Sequence, residues 1–118
     1  MQVSPYFLLG LSFIFLHELD AVRCKEWRIL PGLSILDDKA GFIVFMFGHI
    51  PLFYWILLKM VEQSSSFMNG FDFFLIVHTI AHLLLLRHSR NEFRDWISWV
   101  LIAGAGAFGL IDLLSARV

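Results

Sequence analysis

Four apolar segments joined by short polar stretches limit what this chain can fold into. They cover roughly residues 5–22, 39–59, 71–87 and 93–114, and leave little else in 118 residues. None alternates with a period of two, so none reads as a strand. In lipid only helices and closed barrels satisfy every backbone polar group, and a chain this short cannot close a barrel of sensible size. The expected fold is therefore all-α. Residues 1–118 form a single membrane domain, an antiparallel bundle of four transmembrane helices, because short connections make neighbouring helices antiparallel.

Composition fits that class. Hydrophobic residues make up 58% and charged residues 16%, against about 25% charged in soluble domains. The net charge of −1 gives no reason to expect a nucleic-acid partner. A single cysteine, Cys24, excludes an intrachain disulfide and a cysteine-rich metal framework. No basic side chain precedes the first apolar run, which reads as a retained helix rather than a secretory signal.

Basic residues set the expected orientation. Arg23, Lys25, Arg28, Lys39, Arg87, Arg90 and Arg94 lie in or beside the first and third connections, while the other side has Lys59 and Arg117. The positive-inside rule puts those two connections in the cytoplasm and both termini outside a multi-pass cell-membrane protein. Trp27, Trp96 and Trp99 are expected in an aromatic belt at the cytoplasmic boundary. Leu30-Pro31-Gly32-Leu33 reads as a turn whose apolar residues touch the interface.

The first apolar run, Tyr6 to Leu16, is too short to cross a bilayer, which takes about 20 residues. Completing the crossing carries His17, Glu18 and Asp20 towards the hydrocarbon. Ionisable groups cost roughly 2.5–3.5 kcal/mol each at a helix centre, so they face the protein interior and find partners. His49, His78 and His82 each lie inside another apolar segment. At a rise of about 1.5 Å per residue, His17 and His82 fall roughly 8 Å from the cytoplasmic end of their helices and His49 roughly 15 Å. His78 is one turn deeper than His82. All four can share one slab.

The local spacings are those of a metal site. His78 and His82 are at i and i+4 on one helix face, and His17 and Asp20 are at i and i+3. Such sets hold metals in helical bundles. His17, Asp20, His49, His78 and His82 are the candidate ligands for a divalent metal, zinc or a non-haem iron. Glu18 and Glu26 are candidate catalytic groups, as outer partners or general base. Such an ion would activate water or oxygen against a lipid-soluble small molecule, as an oxidoreductase or a hydrolase. Three alternatives stand beside this reading: a haem b electron carrier ligated by His49 with His78 or His82, a proton or ion relay, and a structural subunit. The last draws on Gly104, Gly106 and Gly109, whose small-residue face permits close packing within the chain or in a homo-oligomer. Pro51 should kink the second helix and re-aim His49. Asp112 is expected at the outer boundary, solvated.

The layout of His17-Glu18-Leu19-Asp20-Ala21 late in the first helix, with further histidines in later helices, resembles small bacterial four-helix membrane proteins of the family named for an H-x-x-E-E motif. Asp20 and Ala21 stand where that family carries glutamates. The resemblance implies a bacterial inner-membrane protein with a metal site, and no particular reaction.

Overall fold

The computed structural model describes residues 3–115, so Arg117 lies outside them. Among the described residues there are four long helices: α1 (Pro5–Arg23), α2 (Asp38–Val61), α3 (Ser65–Leu84) and α4 (Trp96–Ser115). All are long and apolar enough to cross a membrane.

Side-chain caps fix where the helices begin. Ser4 accepts from the Tyr6 amide and Pro5 occupies the first turn, where its missing N–H costs nothing. Asp37 accepts from the Ala40 amide at 2.8 Å, and Ser64 accepts from the Phe67 amide at 3.2 Å. The serine cap explains the largest difference from the expected boundaries. The polar run Gln63-Ser64-Ser65-Ser66 reads as a loop, yet Ser64 starts α3 there, ahead of residue 71. At the other end α3 tightens into a 3-10 turn over Leu85–Arg87. α4 starts at Trp96 rather than residue 93, with Asp95 accepting from the Ser98 amide at 2.9 Å.

α4 is the helix on which α1 and α3 pack. Its glycines allow this. A side chain at Gly104 would meet the Phe13 ring, and one at Gly106 would meet Thr79. At Gly109 it would meet the backbone oxygen of Asp72. The small-residue face is thus filled within the chain. Thr79 adds a hydrogen bond, its hydroxyl donating to the Ile102 carbonyl at 2.9 Å.

α2 is held differently. Its backbone neighbours are the two 3-10 turns of the first connection, Glu26–Arg28 and Leu33–Ile35. The Trp27 ring lies against Gly41, and its Nε1 donates to Asp38 at 3.0 Å. Trp27 is therefore buried and does not stand in an interfacial belt, whereas Trp96 is exposed. Leu30 and Leu33 are half-buried, packed against the apolar cluster at this end of the molecule.

Two apolar clusters result. One gathers Phe7, Leu11, Ile14, Phe71, Leu75 and Ala105. The other gathers Ala21, Trp27, Ile29, Phe45, Phe93 and Ile102. His17 lies between Ile14 of the first and Ala21 of the second.

Candidate metal centre

His17, His78, His82 and Glu26 meet between α1, α3 and the first connection. Each offers one donor atom, and the four donors lie within 4.8 Å of one another. The imidazole centroids are 4.6 Å apart for His17 and His78, 5.0 Å for His17 and His82, and 4.5 Å for His78 and His82. Glu26 faces two of them: its Oε2 is 3.6 Å from His17 Nε2, and its Oε1 is 3.6 Å from His82 Nε2. The Phe93 ring closes one side, 5.3 Å from His17 and 4.7 Å from His82.

Each element has a local reason to deliver its residue. On α3 the i, i+4 spacing stacks His78 and His82 on one face. On α1 His17 is wholly buried. Glu26 arrives through a backbone reversal. Lys25 adopts the left-handed conformation, φ 51°, just after α1 ends at Cys24. A side chain there costs about 1–2 kcal/mol relative to a right-handed residue. The turn folds Glu26 back over the end of the bundle instead of out into the connection.

The surroundings are dry. His17, His82 and Glu26 are buried and His78 is half-buried. Among the described residues, both ring nitrogens of His17, the Nδ1 atoms of His78 and His82, and Glu26 Oε2 have no hydrogen-bond partner. A buried polar atom left unpaired costs about 1–3 kcal/mol. Burial would push the Glu26 carboxyl up, but the adjacent His17 and His82 imidazoles outweigh it and hold the carboxyl below the usual carboxylate range. The set could hold a metal ion.

Two expected ligands lie elsewhere. Asp20 turns towards the start of α4, because a step of three residues from His17 brings it beside Arg23 and Ser98. It accepts from Arg23 Nε at 2.7 Å and from Ser98 Oγ at 2.6 Å, and Arg23 continues to Asp95 at 3.0 Å. That network ties α1 to α4. His49 stays with α2, away from the other three histidines. Its Nε2 is 2.5 Å from Glu18 Oε2, and its Nδ1 is 2.5 Å from the Phe45 carbonyl. The histidine does not reach the carbonyl of Phe47 that Pro51 leaves free. Glu18, one position from His17, is rotated about 100° around α1 and so faces α2.

Sequence reading passed over one pair. Asp72 on α3 is fully buried beside Asp112 on α4, which is buried rather than solvated. Once Ser64 is recognised as a cap, Asp72 stands two turns inside a helix, and that was the available signal.

Because α2 stands off, a cavity of about 630 Å³ opens between it, α1 and α3, and a second of about 440 Å³ lies beside it. Phe15, Glu18 and Phe53 line both.

The chain belongs to a family of unknown function, DUF6713, whose model matches residues 3–118. Comparisons with curated proteins and with solved structures return no match.

Proposed function

We propose that this member of DUF6713 is a multi-pass membrane protein of the bacterial inner membrane whose antiparallel helices enclose a metal centre built from His17, His78, His82 and Glu26. The first and third connections face the cytoplasm and both termini lie outside, as the basic residues direct. The observation that carries the reading is the convergence of buried nitrogen and oxygen donors that have no other partner. Ionisable groups in a spanning helix are costly unless they have a task or a partner, and a cation supplies the partner for all four at once.

The donor set fits zinc or a non-haem iron. Bonds near 2.0–2.2 Å in a tetrahedral site place donors roughly 3.3 Å apart. The two His–Glu26 separations of 3.6 Å are close to that, and all four donors lie within 4.8 Å of one another. Two or three histidines with one carboxylate are common to hydrolytic zinc and oxygen-using iron sites. Bound there, the ion would polarise water or dioxygen; Glu26 holds one edge of the site and Phe93 keeps solvent from another. Haem held by His49 with His78 or His82 has less support, because both ring nitrogens of His49 are engaged, by the Phe45 carbonyl and by Glu18.

The test is elemental analysis of protein purified in mild detergent without a histidine tag and never exposed to chelator. Near-stoichiometric zinc or iron is expected, lost in the His78→Ala/His82→Ala double variant and kept in His49→Ala. Unchanged metal content in the double variant overturns the site. A proton path is the second reading, favoured by the buried acids Asp72, further along α3, and Asp112 beside it on α4. Proton flux in proteoliposomes of metal-free protein would support it.

A further inference from the structure

The Glu18–His49 pair holds a single proton between its facing atoms. A carbonyl can only accept, so His49 Nδ1 carries a hydrogen towards Phe45 O. The other nitrogen then meets a carboxyl oxygen at 2.5 Å, and one proton serves both. The pair is not sealed: the Glu18 side chain is 21% exposed and that of His49 is 20% exposed. Exposure at this depth of a spanning helix means exposure to lipid or to a ligand. Acyl chains offer no hydrogen bond, and leaving such groups against them is costly.

Glu18 opens onto both cavities and His49 onto the smaller one, so Glu18 is the group that a ligand in the larger cavity would meet. Glu18 is its acid at one end, and Lys59 at the other is already engaged by Glu62 at 2.7 Å, which leaves no free cation for a phosphate headgroup. Between these ends the walls are aromatic. Phe15 and Phe53 approach to 5.2 Å, and Trp55 and Phe67 to 5.0 Å, with Phe71 and Phe74 completing the lining. Aromatic faces favour a flat ring by offset or edge-to-face packing. A volume of about 630 Å³ falls within the range of about 300–1,000 Å³ usual for small-molecule sites.

We propose that the cleft between α2 and the α1–α3 face binds a lipid-soluble quinone or quinol, its ring among the aromatic side chains, and that in the quinol one ring hydroxyl donates to the Glu18 carboxyl oxygen that His49 leaves free. The tail leaves between α2 and α3, whose backbones do not approach closely. This assignment rests on the membrane-spanning reading and not on the metal.

Trp55 lines the cleft, and quinones quench indole emission, so binding can be read directly. Protein in detergent is titrated with a benzoquinone carrying a ten-carbon chain. Saturable quenching is expected, absent in Trp55→Phe. It is also absent in Gly70→Phe, which fills the cleft from a position where an added Cβ meets nothing within 4 Å. Glu18→Leu should leave quenching by the quinone in place and weaken its displacement by the matching quinol about tenfold, the worth of one hydrogen bond. Metal content should be unchanged in Trp55→Phe and Gly70→Phe, and the His78→Ala/His82→Ala protein should still bind quinone, which separates failure of this site from failure of the metal centre. Quenching that rises linearly without saturating, or that decanoate displaces as well as an unlabelled quinol does, overturns the proposal and leaves an ordinary acyl-chain groove.

Discussion

His17 and Glu18 are neighbours in the chain, yet they open onto two sites built in opposite ways. His17 points into the site between α1, α3 and the first connection, where three imidazoles and a carboxylate meet and, among the described residues, five of their buried nitrogen and oxygen atoms have no hydrogen-bond partner. Glu18 points towards α2, where it and His49 satisfy one another at the edge of a cavity. The first arrangement leaves buried polar atoms unpartnered among the described residues; the second is paired but open. Both contain histidine and glutamate, so residue type does not separate them. What separates them is packing: glycines draw α1 and α3 onto α4, while α2 is held mainly through the first connection.

The largest effect should come from breaking that packing. Gly106 admits Thr79 of α3 so closely that any side chain there clashes with it. Gly106→Leu should lower stability by at least the roughly 1–3 kcal/mol of ordinary overpacking and release the metal as α3 moves away. Gly48→Leu on α2, where an added Cβ meets nothing within 4 Å, should do neither. Thermal unfolding in detergent with metal analysis on the same samples checks both. Equal behaviour of the two variants would mean that the core is no more tightly built than the cleft.

A smaller effect sharpens the contrast within the core site. Glu26→Gln keeps shape and removes charge. As a member of the donor set Glu26 should matter more than an outer partner, whose loss typically lowers metal affinity about 10–100-fold. Competition with a chelating dye gives the affinity. Glu18→Gln, one residue beyond His17 but facing α2, should leave it unchanged.

The helix number and helix character were legible because apolar length and polar punctuation are local properties. The pairing of His78 with His82 was legible for the same reason, as a fixed step along one helix. Which partner each helix face meets was not. Asp20 has the right spacing from His17 for a shared ligand set, yet Arg23 and Ser98 engage it, and Ser98 is 78 positions away in sequence. His49 lies at a compatible depth, but depth says nothing of rotation, and α2 stands off. Glu26 was expected at the margin of the site; its place among the donors depends on a left-handed lysine that no residue preference announces.

The smallest effect tests how dry the connection end of the core is. Cys24 is buried beside Asp20 and Ser98, with its Sγ 3.7 Å from the Ser98 hydroxyl. Burial pushes its thiol up from the ordinary value. The folded chain therefore holds less thiolate than the unfolded chain at any given pH. Alkylation by iodoacetamide should be slow in the native protein and inflect above the pH of about 8.5 expected for a free thiol, then become fast on unfolding in dodecyl sulfate. The same shift sets the sign for stability. Below about pH 8.5 both states keep the proton and nothing is lost; above it the unfolded chain ionises first, so stability falls as pH rises through the folded value. Native alkylation as fast as in the unfolded chain would place water at the connection end of the core. The contrast between a closed histidine site and an open one would then shrink to the difference between one helix face and the next.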